Sequence, residues 1–263
     1  MPKVRYERTG ASAVLVIDRP ERRNAVDPET ASLLLDGFRR FEADEYARAL
    51  VLTGEGPDAF CAGADLKAIA EAGPEVPPEL VEAVAERTEG PMGFTRLTAS
   101  KPTIAAISGW CLAGGLELAL WCDLRVATES ARLGFTERRF GVPLIDGGTQ
   151  RLPLVVGMGR ALEMILTGRV LEADEALSWG LVNEVVPAER HLERALEIAE
   201  GLARFPQTTM LSDRRAAIEG AGLTLADGLA LEAEIGRASI ATGVLGATRF
   251  AAGEGRGARG AGV

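Results

Sequence analysis

Four short stretches of the chain are apolar almost throughout: Ala13–Asp18 (AVLVID), Ala49–Gly54 (ALVLTG), Thr103–Ser108 (TIAAIS) and Leu124–Thr128 (LRVAT). Short continuous apolar runs, rich in β-branched side chains, predict strands buried on both faces. Between the first two, Leu33, Leu34, Phe38 and Phe41 recur at helical spacing behind Asp27, a good cap, and Pro28, a good first helical residue. Strand, helix and returning strand predict a β-α-β unit. From about Ala188 the periodicity turns helical, through RHLERALEIAEGLARF, TMLSDRRAAIEG and TLADGLALEAEIGRASIATGV. The pattern predicts an α/β core over residues 1–187 and a helical region over 188–263. The Pro-rich, charged stretch 71–93 reads as a mobile excursion, and the Gly-rich tail from Ala251 is expected to fray.

Composition narrows the function. With 263 residues and 47% apolar side chains, the chain is long enough for a sizeable core. Its formal charge is 29 − 38 = −9, which disfavours a nucleic-acid partner. A phosphate-bearing ligand needs only a few local cations and stays open. The cysteines, Cys61, Cys111 and Cys122, are odd in number and lack CxxC spacing. They predict neither a disulfide framework nor a zinc site, and fit a reduced cytoplasmic interior. The N-terminus lacks a signal-peptide apolar region, and no run of 18 apolar residues predicts a membrane span. The single histidine, His191, sits among charges and reads as a solvated helix residue. Ser-His-Asp, Cys-His and His-ligated metal chemistries are therefore not expected, and no metal site is assigned.

The candidate chemistry lies in three loops. In SGWCLAGGLELALWCD (Ser108–Asp123), Gly114 and Gly115 open an apolar helix with Glu117 in its first turn. Backbone N–H groups at a helix start lack partners and carry partial positive charge. They suit an oxygen that becomes negative during a reaction. In FCAGADLKAIA (Phe60–Ala70), a turn at Gly63 offers the N–H of Ala64 as a second donor. Two such donors on one oxygen form an oxyanion hole, each worth roughly 2.7–4 kcal/mol. In LGFTERRFGVPLIDGGTQRL (Leu133–Leu152), Glu137 precedes a glycine-punctuated turn. If the loops line one cleft, two carboxylates in a partly dry site push their proton affinities apart, one serving as base and the other as acid. Arg138 and Arg139, beside Glu137, would help keep it ionised. Taken singly, each loop also has a plainer reading: a carboxylate favourable to a helix dipole, a capped turn, a surface ion-pair cluster.

These loops, with RPERRNAVD, KPTIAAISGWCLAGG, GGTQRLP and LTGRVLEADEALSWGLVNEVVP, resemble the crotonase superfamily, the enoyl-CoA hydratases and isomerases, from about Val14 to the C-terminal helices. The resemblance implies an α/β fold, a crotonase-like spiral of β-β-α units with a helical C-terminal trimerisation region. It implies a homotrimer or a hexamer made of two trimers. It also implies a trans-2-enoyl-CoA substrate, hydrated across its 2,3 double bond to a 3-hydroxyacyl-CoA. No separate cofactor is expected, because coenzyme A is part of the substrate. By the same resemblance the oxyanion donors are the amides of Ala64 and Gly114, and the catalytic pair is Glu117 and Glu137, 20 positions apart. Substrate contacts fall on Arg22, Asn24 and Ala25 along the coenzyme A, on Ala62, Asp65, Leu66 and Lys67 in the second loop, and on Trp110 near the acyl pocket. Glu117 would be held by the helix start and by a water shared with Glu137. Asp146 departs from the usual small residue before GGTQRL. It reads either as a loop aspartate bound to backbone amides or as a proton carrier like that of dienoyl-CoA isomerases. Isomerisation of a double bond is thus the alternative activity, and a non-catalytic, RNA-holding relative is a more distant one.

Overall fold

The computed structural model describes residues 2–71, 73 and 77–253, without the side chains of Leu80 and Val81. It begins with a hairpin: β1 (Val4–Thr9) pairs antiparallel with β2 (Ser12–Ile17) through a tight turn where Gly10 adopts a φ of 58°. The helix α1 (Pro28–Ala43) starts as expected, Asp27 accepting from the Thr30 amide at 2.8 Å with Pro28 in the first position.

Three passes of strand, strand and helix follow. The first is β3 (Ala49–Gly54), β4 (Ala59–Cys61) and α2 (Leu66–Glu71), with α3 (Pro78–Glu86) behind it. The second is β5 (Thr103–Ile107), β6 (Trp110–Leu112) and α4 (Gly114–Trp121). The third is β7 (Leu124–Thr128), β8 (Arg132–Gly134), a 3-10 turn at Thr136–Phe140 and α5 (Gly148–Val156). Then come α6 (Met158–Thr167), β9 (Val170–Glu172), α7 (Ala173–Ser178) and β10 (Glu184–Val186). In each pass the first strand joins a six-stranded sheet, ordered β1-β2-β3-β5-β7-β10, and the second a four-stranded sheet, ordered β4-β6-β8-β9. This is the β-β-α spiral that the resemblance implies.

The helix α4 runs inside the spiral, and all eight of its residues are buried. Apart from Glu117 the helix is apolar on every side and has no solvent face to prefer. Its C-terminal end is fixed by Trp121, which packs on Phe94 at 4.5 Å and Phe38 at 5.7 Å and donates its indole N–H to the Leu97 carbonyl at 2.7 Å. The buried Arg125 donates to the Cys122 and Leu181 carbonyls at 2.8 and 2.7 Å, satisfying groups at the same end.

Four helices close the described chain: α8 (His191–Arg204), α9 (Gln207–Glu219), α10 (Leu225–Gly236) and α11 (Ile240–Ala251). The helix α8 lies on the six-stranded sheet, its Ala195 and Ala199 buried with Val14, Val51 and Ile104. The packed core therefore runs on through this helix rather than ending at residue 187. His191 differs from expectation too. It is half-buried, its Nδ1 is buried with no partner among the described residues, and burial pushes its pKa down. Of the stretch 71–93, residues 78–86 form a helix rather than an irregular excursion, while residues 72 and 74–76 lie outside the described residues, as does the tail 254–263. Among the described residues no helix is long and apolar enough to cross a membrane.

Candidate active site

The start of α4 is under backbone strain. Ala113, its cap, has φ 52° and ψ −127°, a conformation L side chains rarely adopt, at a cost of about 1–3 kcal/mol. Hydrogen bonds hold it there: its N–H donates to the Gly134 carbonyl at 2.9 Å, and its carbonyl accepts from Leu116 and Glu117 at 2.9 and 3.1 Å. Gly115 is a matter of space, since a Cβ there would overlap the carbonyl oxygen of Cys61. The helix thus begins hard against the end of β4, where the second loop departs. A Cβ on Gly63 would lie 3.0 Å from the Gly114 nitrogen. The amides of Ala64 and Gly114 are accordingly neighbours, and neither meets an acceptor among the described residues.

Three carboxyl groups, those of Glu117, Glu137 and Asp146, are buried here at 3%, 6% and 3% exposure. Glu117 Oε1 accepts two backbone hydrogen bonds, from Gly148 at 2.8 Å and Asp146 at 3.0 Å. Two amides of the loop entering α5 therefore hold it directly. Burial pushes the Glu117 pKa up to about 7, the neighbouring Asp146 and Glu137 charges adding to the rise and the two amides opposing it.

Burial raises the Glu137 carboxyl as well, against the pull of Arg138. Arg138 and Arg139 turn away onto the carbonyls of Ile165 and Gly168, at 3.4 and 3.3 Å. Desolvation is the larger influence, so the shift is upward despite Arg138. Glu137 Oε2 is buried, and no donor among the described residues reaches it. A buried oxygen without a partner is costly and marks a place where a water or substrate proton belongs.

The remaining sequence-assigned residues divide into two groups. Ala64 forms a parallel bridge with Val26, and the Ala62 amide donates to the Arg23 carbonyl at 3.0 Å, so segments 22–26 and 62–65 run side by side. Arg22, Leu66 and Lys67 are exposed along this seam. Asn24 and Asp65 instead belong to the scaffold. The Asn24 amide donates to the Ala59 and Glu55 carbonyls at 2.7 and 3.0 Å and accepts from the Arg19 N–H. Asp65 pairs with the buried Arg19 at 3.0 Å and caps α2, while the Ala25 carbonyl accepts from Arg19. The side chains of Asn24 and Asp65 thereby fix the two segments against each other. Trp110 lies on the face of the small sheet opposite the core residue Cys111, with the Arg132 guanidinium 5.5 Å above its ring.

A family model described as enoyl-CoA hydratase/isomerase matches residues 7–251. The chain belongs to this family. Among its curated relatives, a short-chain-enoyl-CoA hydratase of Clostridium acetobutylicum is 36% identical, over 87% of this chain and 85% of that protein. An (E)-benzylidenesuccinyl-CoA hydratase of Thauera aromatica is 35% identical, over 82% of each. A solved enoyl-CoA hydratase from Bacillus anthracis superposes with a TM-score of 0.82 at 35% identity, covering 90% of this chain and 91% of that one.

Sequence reasoning missed several groups around the enoyl-CoA hydratase/isomerase site: Ala113, Met92, Thr95 and Arg151. Asp146 Oδ1 accepts from the Met92 amide at 3.0 Å and from the Thr95 hydroxyl. Arg151 donates to the Asp146 and Thr95 carbonyls at 2.9 and 2.6 Å. Met92 and Thr95 lie some fifty residues away in sequence, and neither their type nor their spacing signals the contact.

Proposed function

We infer that this family member is an enoyl-CoA hydratase, adding water across the 2,3 double bond of a trans-2-enoyl-CoA. One observation carries the reading: two buried carboxyl groups of raised proton affinity, Glu117 and Glu137, beside the amides of Ala64 and Gly114, which meet no acceptor among the described residues. The relatives named as hydratases support it. In this reading Glu117, with Oε1 fixed by two amides, uses its other oxygen to take a proton from water. The water oxygen bonds to Cβ, and the double-bond electrons move through Cα toward the thioester oxygen. The amides of Ala64 and Gly114 stabilise the charge that develops there. Glu137 then gives its proton to Cα, completing the 3-hydroxyacyl-CoA. Proton exchange with solvent returns both carboxyls to their starting states. These steps need no redox group and no metal, and coenzyme A enters with the substrate.

The seam of Arg22, Ala25, Ala62, Leu66 and Lys67 is proposed to carry the coenzyme A. The exposed apolar side chains of Leu225, Leu229, Ile240, Val244, Leu245 and Phe250 on the last two helices support assembly into a trimer or a pair of trimers. A cytoplasmic role in fatty-acid β-oxidation fits the same chemistry. The test is hydration of crotonyl-CoA and longer homologues, followed as loss of enoyl-thioester absorbance with the product identified by mass. Absence of hydration on every enoyl-CoA tried would sink the reading. Isomerisation with Asp146 as proton carrier is the weaker reading, because that carboxyl already binds the Met92 amide and the Thr95 hydroxyl.

A further inference from the structure

Asp146 stands where two segments meet. Its own N–H holds Glu117 Oε1 at 3.0 Å, and its Oδ1 accepts from Met92 and Thr95 in the loop before β5. The same two segments are joined twice more. Arg151 reaches the carbonyls of Asp146 and Thr95, and Arg96 donates to the Ile145 carbonyl at 3.0 and 3.2 Å. Gly90 gives the clasp room, since a Cβ there would lie 2.9 Å from Asp146 Oδ1 and would overlap the Thr95 hydroxyl. Met92, fully inside, packs on the oxyanion side: a Cβ on Gly114 would lie 2.9 Å from its sulfur. A single side chain therefore ties the residue beneath the Gly114 donor to the peptide that aims the Glu117 carboxylate.

We propose that Asp146 is a positioning residue for hydration: its carboxylate clasps Met92 and Thr95, so that the Gly114 donor and the Glu117 carboxylate keep a fixed relation, and it does not itself touch the substrate. The proposal rests on the hydratase reading. Its physical basis is that small displacements of preorganised groups are costly, about 100-fold in rate for 1 Å. The clasp is also electrostatic. The charged and titratable groups facing Glu117 are Asp146 from the loop into α5, Arg151 from α5 itself and Glu137 from the 3-10 turn, and the Asp146 charge raises the Glu117 proton affinity.

The experiment compares wild type with Thr95→Val, Thr95→Ser, Asp146→Asn and Asp146→Ala, measuring kcat and KM on crotonyl-CoA from pH 5.5 to 9. Thr95→Val removes one arm of the clasp and should lower kcat about tenfold, with KM changed by less than about threefold. Thr95→Ser, which restores the hydroxyl, should recover most of that loss. Asp146→Asn keeps an oxygen acceptor and removes the charge, so the acid limb of the kcat profile should move to lower pH. An aspartate whose charge does not reach Glu117 would not move that limb, and rescue by Thr95→Ser separates the clasp from the charge alone. If Asp146→Ala does not fold, the other three variants decide. Thr95→Val with wild-type kcat and an unmoved limb in Asp146→Asn would overturn the proposal. So would Asp146→Asn that binds acyl-CoA normally yet exchanges no Cα proton with deuterated solvent, because Asp146 would then be a proton carrier. A wild type that hydrates no enoyl-CoA would overturn the hydratase reading and this proposal together, whereas active wild type with unaffected clasp variants overturns this proposal alone.

Discussion

Replacing Glu117 by Gln should weaken the enzyme and strengthen the fold, and the second effect should depend on pH. Gln keeps a carbonyl oxygen where Glu117 Oε1 accepts from Gly148 and Asp146, so the loop into α5 stays anchored. The amide cannot take a proton from water, which should lower kcat by about 10²–10⁴-fold. The stability effect follows from linkage. The Glu117 pKa is raised from 4.5 to about 7, chiefly by burial, so the native state binds its proton more tightly than the unfolded chain. Native stability is then undiminished below the unfolded value and falls as pH rises between the two values, the full penalty being present above about 7. A shift of this size corresponds to about 3 kcal/mol, of which about 2.5 develops between pH 5 and pH 8. Gln carries no such penalty. Asp146 and Glu137 titrate in both proteins and cancel to first order. Urea unfolding of wild type and Glu117→Gln, at equal protein concentration and at pH 5 and pH 8, measures the difference directly. The advantage of the variant should grow by about 2–3 kcal/mol on going to pH 8. An advantage that stays constant with pH, or grows toward acid, would refute the reasoning that a buried, reluctantly ionised Glu117 sits at this helix start.

Other expectations follow from the same geometry. In wild type, kcat/KM for hydration should rise with pH through about 7 as Glu117 loses its proton; a profile flat from pH 5.5 to 8 would contradict its role as base. Ala113→Gly should raise stability by roughly 1 kcal/mol, because the φ of 52° is strained for Ala and open to Gly, less the entropy glycine loses on folding; an unchanged or lower urea midpoint would count against strain at this cap. Gly115→Ala forces a methyl into the Cys61 carbonyl and should destabilise by about 1–3 kcal/mol while lowering kcat, seen by urea unfolding and the hydration assay; wild-type stability would show that the helix start has slack. The native mass by light scattering should be three or six times 27.7 kDa, and a monomer at micromolar concentration would contradict the proposed assembly.

The sequence by itself determined the central elements. The continuous apolar runs at Ala49–Gly54 and Leu124–Thr128 became strands at those bounds, because a strand buried on both faces tolerates no polar alternation. The Asp27–Pro28 start and the glycine pair before Glu117 were readable as well, since capping and close approach are local demands. The strands Ala59–Cys61, Trp110–Leu112, Arg132–Gly134 and Val170–Glu172 were not legible, because three residues carry no period. They form only when the spiral stacks one pass on the next. Tertiary structure alone decided which carboxyls are dry and what holds each. Glu117, Asp146 and Glu137 look alike in a sequence. Glu117 is gripped by the amides of residues 29 and 31 positions away and Asp146 by Met92 and Thr95, while Glu137 keeps a buried oxygen without a partner. The structural partners of Asn24 and Asp65, carbonyls and the Arg19 guanidinium, were equally hidden in the sequence, since the crossing of chain segments brings them up. The proton affinity of a carboxyl is set by the water it loses and the donors and charges that replace it, and those arrive from parts of the chain that only folding brings together.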